Sequence, residues 1–140
     1  MPDDQGWHDR VVDAKRLEGV GFFSSLSKKE LRQLAGWTDE VSVPEGHELA
    51  TEGQFAHEFF IIEDGTAAVT QNGEQIADLG PGEFFGEIGL LETERRTATV
   101  VATTPMDLIV MFQREFKQME QEMPAVAERI RAAIRARLDS

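Results

Sequence analysis

The chain of 140 residues contains no cysteine, which excludes disulfides, thiolate catalysis and cysteine-ligated zinc or iron–sulfur centres. That absence fits a reducing compartment, and the cytoplasm is the expected location. No apolar run approaches the roughly 18 residues that a membrane-spanning helix needs. Met1 to Arg10 is polar and acidic, unlike a signal peptide, so a soluble protein without a membrane partner is expected. Histidine is scarce, and His8, His47 and His57 stand at no metal-ligand spacing; they read as surface residues, with no metal implied. Cations are outnumbered, 14 Lys and Arg against 26 Asp and Glu, for a net charge of −12. Such a surface excludes a nucleic-acid partner, because backbone binding rests on clustered Lys and Arg. Any phosphate must therefore be held locally. No Ser/His/Asp or Cys/His set and no kinase signature is present, so the chain reads as a binding protein and not an enzyme. The clustered histidines and acids of a metal-dependent cupin-type barrel are missing too.

Hydrophobic residues make up 41% and charged residues 29%, values of a folded globular chain. The length allows one domain with a real core, with neither an internal repeat nor a low-complexity linker. The expected division is a tail over 1–12 and a single domain over 13–140.

From about Asp13 to Thr38 the pattern is helical and broken by Gly19 and Gly21. Val12, Arg16 and Leu17 share a face. Ser27, followed three residues on by Glu30, is a capping box for a helix carrying Leu31, Leu34 and Ala35 and ending near Gly36. Phe22, Phe23 and Leu26 are expected to pin the preceding turn to the core.

Over about 41–112 the chain changes to short apolar runs divided by turns: Val41 and Val43, Glu48 to Ala50, Phe59 to Ile62, Ala67 to Val69, Ile76 to Leu79, Thr97 to Ala102 and Leu108 to Met111. Asn72-Gly73 is the clearest hairpin signal. Strands this short, turning roughly every ten residues, predict an antiparallel sandwich or barrel of about eight strands. Over about 114–139 a helical period returns: Arg114 to Met119 forms one short helix, Pro124 opens another, and Val126, Ile130, Ile134 and Leu138 share its face. That stripe fits core packing, a lid or a dimer seam.

One segment breaks the strand pattern, running from Gly82 through Gly86-Glu87-Ile88-Gly89-Leu90-Leu91 to Arg95-Arg96-Thr97-Ala98. Gly86 to Leu91 has room for one or two helical turns, whose first amides, near Gly86 to Gly89, are expected to face an anion. Arg96 is expected to begin the next strand, where a guanidinium is costly unless paired, and a phosphate pairs it well. Glu87 supplies an acceptor suited to a sugar hydroxyl. Together they describe a sugar joined to a singly charged phosphate. Taken singly, Arg96 also reads as an exposed strand-edge arginine and Glu87 as an acid favoured by a helix dipole. Phe84, Phe85 and Val69 read mostly as core, with one of them available to line a base pocket.

A short Gly-Glu helix followed by Arg-Thr-Ala closely resembles the phosphate-binding cassette of cyclic-nucleotide-binding domains. Five residues separate Leu90 from Arg96, as in many members, and the likeness runs along nearly the whole chain. Phe22-Phe23 with Leu26-Ser27 and Leu31, Pro44-Glu45-Gly46, Glu52-Gly53, Phe59 to Gly65, Leu79 to Gly82 and Phe85-Gly86-Glu87 all follow in family order. The resemblance implies a mainly β fold with flanking helices: an eight-stranded antiparallel β-roll, or jelly roll, with N-terminal helices and a C-terminal lid helix over the base. It also implies cAMP or cGMP as ligand, cAMP favoured, with no other cofactor. Arg96 would grip the cyclic phosphate and Glu87 the ribose 2′-hydroxyl. Gly86, Ile88 and Gly89 would supply cassette contacts, and Thr97 and Ala98 would touch phosphate. A threonine after the arginine is frequent in members that prefer cGMP. Arg95 stands where many members have proline, and reads as a solvated neighbour or a partner of Glu92 or Glu94. Both glutamates are expected to face solvent.

The implied role is a stand-alone sensor or regulatory module signalling through its terminal helices. No helix-turn-helix pattern follows the last helix, so an effector in trans, a homodimer through those helices, nucleotide buffering, or excision from a longer chain all fit. The alternative is a degenerate member that binds no nucleotide and serves as a protein-interaction module.

Overall fold

The computed structural model describes residues 7–8, 15–18, 23–91 and 94–139. Val12, Gly19, Gly21, Phe22 and Glu92 lie outside the described residues, as do the side chains of Arg16, Glu94 and Leu138.

Among the described residues, eleven strands and five helices follow in order: β1 (Trp7–His8), α1 (Lys15–Glu18), α2 (Lys28–Ala35), β2 (Asp39–Val43), β3 (Glu48–Ala50), β4 (Phe55–Ala56), β5 (Glu58–Asp64), β6 (Ala67–Gln71), β7 (Glu74–Leu79), β8 (Phe84–Phe85), α3 (Ile88–Leu91), β9 (Glu94–Arg95), β10 (Thr99–Ala102), β11 (Met106–Phe112), α4 (Gln113–Glu122) and α5 (Pro124–Asp139). One sheet has the order β1-β2-β11-β5-β8 and the other β3-β10-β6-β7, while β4 and β9 form a separate ribbon. With the two-residue β1 set aside as an edge addition, each sheet has four strands, which gives the eight of an antiparallel roll.

The central strands β5 and β11 are apolar on both faces because each face meets a different core. Phe60 and Ile62 of β5, with Met106, Leu108 and Val110 of β11, point between the sheets onto Val41, Val43, Ala67, Val100 and Ala102. Phe59, Ile61, Ile109 and Met111 point the other way, onto the helices. This doubly covered sheet is why the sequence there shows continuous apolar runs and not alternation. Each fully buried Phe, Ile or Leu contributes about 1.5–3 kcal/mol.

The helical layer is built as the sequence indicates. Ser27 Oγ accepts from the Glu30 amide at 3.1 Å while Glu30 Oε1 accepts from the Ser27 amide at 2.8 Å, and the helix stops at Gly36. Leu17, Phe23, Leu26, Leu31 and Leu34 are buried with Phe116, Met119, Val126, Ile130 and Ile134 in one cluster. The Val126, Ile130, Ile134 stripe is therefore core. That face of α5 is buried together with residues of α2, α4 and the first sheet.

β6 and β7 are joined by Asn72-Gly73, where positive φ values of 53° and 82° make the mirror-image turn that matches strand twist. β10 starts later than the sequence implies. Its ladder with β6 begins at the pair Thr99–Thr70, so Arg96, Thr97 and Ala98 precede the strand. No described helix is long and apolar enough to cross a membrane.

Candidate functional site

Gly86 closes β8 and leads into the single turn of α3. Its φ of +84° favours glycine, and a Cβ there would lie 2.6 Å from both Arg96 Nη1 and the Glu58 carbonyl oxygen. The arginine's guanidinium thus rests directly on the Gly86 backbone, a contact that only a residue without a side chain allows.

Arg96 is fixed through its backbone and its side chain. Its amide donates to the Gln54 carbonyl at 2.7 Å, and its carbonyl accepts from the Gly53 amide at 2.8 Å. These bonds to the 51–54 turn replace a ladder with β6, which is the physical reason Arg96 does not open the strand. Nη2 donates to the Glu58 carbonyl at 2.8 Å and lies 3.5 Å from the Glu58 carboxylate. The side chain is 12% exposed. Burial lowers the guanidinium pKa below its ordinary value; the charge and hydrogen bonding of Glu58 oppose that, and the charge of Glu87 opposes it further.

Glu87 is one of three buried polar or charged residues among the described residues, with Thr38 and Glu40. The Gly89 amide, expected to face an anion, instead donates to the Gly86 carbonyl at 2.9 Å, and the Leu90 amide donates to Glu87 at 3.1 Å. A turn this short consumes those amides in i to i+3 bonds. Gly89 is nevertheless in the cavity wall.

Gly86, Glu87, Ile88, Gly89, Arg95, Arg96 and Thr97 line a pocket of about 220 Å³. Gly86, Glu87, Arg96 and Thr97 also line an adjoining pocket of about 250 Å³, whose other walls are Ala98 and the apolar Ala50, Val69, Leu79, Phe84, Phe85 and Val100. All seven residues singled out in the sequence, Ala98 included, therefore meet at one composite cavity with a charged half and an apolar half. Val69, Phe84 and Phe85 all line it, and Phe85 is held by stacking on Phe60 with ring centroids 4.9 Å apart. Among the described residues, none of α5 lines either half. Arg131 and Arg135 of α5 instead line a different cavity with α3 and α4.

Two contributors are not evident from the sequence. Glu58 opens an apolar strand and is Arg96's partner from 38 positions away. Phe55 is 55% exposed and carries the Arg95 guanidinium 4.4 Å from its ring centroid. Arg95 Nη1 also donates to the Gly53 carbonyl at 2.6 Å, so a ring and a carbonyl are its partners among the described side chains and backbone; the expected pairing with Glu92 or Glu94 lies outside them. No group of three or more His, Cys, Asp or Glu placed to hold a metal occurs among the described residues.

The family model described as the cyclic nucleotide-binding domain matches residues 40–123. The cAMP-dependent protein kinase regulatory subunits of Neurospora crassa and Schizosaccharomyces pombe are 29% and 30% identical over 117 residues, covering 82% and 83% of this chain. The chain spans only 30% and 28% of those relatives' lengths. The N-terminal domain of a transcriptional regulator from Streptomyces coelicolor A3(2) superposes with a TM-score of 0.77 at 25% identity, over 91% of this chain and 94% of that one.

Proposed function

This chain belongs to the cyclic-nucleotide-binding domain family, and on that premise we propose that it binds a cyclic nucleotide, cAMP in preference to cGMP, without hydrolysing it. The observation that carries the proposal is the composite cavity, in which a partly buried arginine resting on Gly86 and a buried glutamate join a polar pocket to an apolar one. Arg96 takes the cyclic phosphate, Glu87 accepts from the ribose 2′-hydroxyl, and the base enters among Val69, Leu79, Phe84, Phe85 and Val100. Among the described residues the one carboxylate lining the cavity is Glu87, which this reading assigns to the ribose, so the ligand is held and released intact. The curated relatives are named cAMP-dependent protein kinase regulatory subunits, which supports cAMP and a regulatory role; in this reading the role is passed through the terminal helices.

The degenerate, nucleotide-free reading draws on one observation: Arg96 already has Glu58 as a partner. Thermal melts separate the two. Binding to the folded state stabilises it by mass action, by about 2.7 kcal/mol at a ligand concentration 100 times Kd, and so raises the melting temperature. A rise with cAMP supports the proposal, and no rise with either nucleotide at millimolar concentration supports the degenerate reading.

A further inference from the structure

Two guanidiniums line the charged half of the cavity, Arg95 and Arg96, and their surroundings differ. Arg96 shares its charge with Glu58 and sits near Glu87, so the inner part of the cavity has one cation set against two carboxylates. An incoming phosphodiester adds a further negative charge to a balance that is already negative. Among the described residues, Arg95 meets a ring face and a backbone carbonyl, neither of which carries a formal charge. A cation stacked on an aromatic face keeps its charge and loses little of its outward field.

Arg95 is also held in place. Phe55 pairs with Arg95 across the ribbon of β4 and β9, the Gly53 carbonyl takes one of its N–H groups, and the Gly53 amide bonds the next residue, Arg96. The Phe55 ring, otherwise an exposed apolar surface, becomes the platform for this side chain. From this geometry we infer that Arg95 is a second phosphate-directed cation of the pocket, positioned by Phe55 and Gly53, which supplies the positive charge that Arg96 has shared with Glu58. Phe55 is a positioning residue that acts through Arg95.

This inference rests on the nucleotide-binding reading, and the test keeps the two apart. The full chain, Arg95→Gln, Arg95→Lys and Phe55→Leu are titrated calorimetrically with cAMP at low and at high salt. Arg95 is exposed, and ligand-free melts of all four proteins check the fold. The expected result is that Arg95→Gln weakens cAMP roughly three- to tenfold at low salt, with a smaller loss at high salt where an exposed charge is screened. Arg95→Lys keeps most of the affinity. Phe55→Leu, with no change of charge, moves toward Arg95→Gln. Unchanged affinity in Arg95→Gln at low salt, or a loss equal at both salt concentrations, overturns the inference while the nucleotide reading stands. No binding by the unaltered chain overturns both.

Discussion

The Arg96 guanidinium and the Glu58 backbone meet at 2.8 Å, with the Glu58 carboxylate a further 3.5 Å contact of the same nitrogen. The residue proposed to grip the phosphate is therefore also held by an internal anion. Its partner side chain is 30% exposed, so the attraction is partly screened and an incoming phosphate can compete with it. Glu58→Gln is expected to lower the melting temperature of the free protein slightly and to strengthen cAMP binding by roughly two- to fivefold, or about 0.4–1 kcal/mol, the range of a partly exposed pair. Titration of both proteins reads this directly, and weaker binding in Glu58→Gln would make Glu58 a supporter of Arg96 and not its competitor.

Arg96→Ala removes the partly buried cation and is expected to cost on the order of 2–4 kcal/mol of nucleotide affinity, as for loss of a charge-assisted pair. Glu87→Ala costs less, since a sugar hydroxyl is neutral. Competition against a fluorescent cyclic-nucleotide analogue ranks the two, and a larger loss in Glu87→Ala would contradict the assignment of Arg96 to the phosphate.

Gly86→Ala is expected to be as damaging as either. It places a methyl 2.6 Å from Arg96 Nη1 and from the Glu58 carbonyl, at a φ that side chains rarely adopt. The combined strain is about 1–3 kcal/mol, so both the melting temperature and binding fall. Binding kept at full strength would mean that the guanidinium need not rest on Gly86.

Thr97 lines both halves of the cavity, and its own carbonyl is taken by Gln71 Nε2 at 2.9 Å. Its hydroxyl is the candidate partner of a guanine 2-amino group. One such hydrogen bond contributes about 0.5–1.5 kcal/mol, so Thr97→Ala is expected to weaken cGMP more than cAMP, with the ratio moving by about tenfold or less. Equal losses for both nucleotides would assign Thr97 to the phosphate alone.

At the helical side, Ser27→Ala removes a cap and is expected to destabilise the protein by about 1 kcal/mol. The Ser27 amide, more than the nearby Arg129, holds the Glu30 carboxyl below its ordinary pKa. A carboxylate depressed on folding stabilises above its unfolded pKa, and that contribution is lost as pH falls through the lower folded value. Glu30→Gln should therefore flatten the acid side of the stability curve, as followed by melts from neutral pH downward. An unchanged acid limb would contradict this.

Much of the fold is legible because its signals are local. The capping box at Ser27 and Glu30, the Asn72-Gly73 turn and the stripe of Val126, Ile130 and Ile134 each lie within a few residues and each form as expected. The cavity-lining group is legible for the same reason, since Gly86 to Ala98 is one continuous segment. What the sequence hides is long-range: Glu58 and Phe55 carry no periodic signal, and they reach Arg96 and Arg95 only through pairing across about 40 positions. β10 starts at Thr99 and not at Thr97 because the 51–54 turn captures the Arg96 backbone. The amphipathic stripe of α5 fits a lid as well as a core, and only the packed neighbours place it in the core.

The most direct test of the central claim is a calorimetric titration of the full chain with cAMP and cGMP side by side. Saturable binding at one nucleotide per chain, tighter for cAMP and lost in Arg96→Ala, is the predicted result. No heat and no competition from either nucleotide, with the chain shown to be folded, would contradict it.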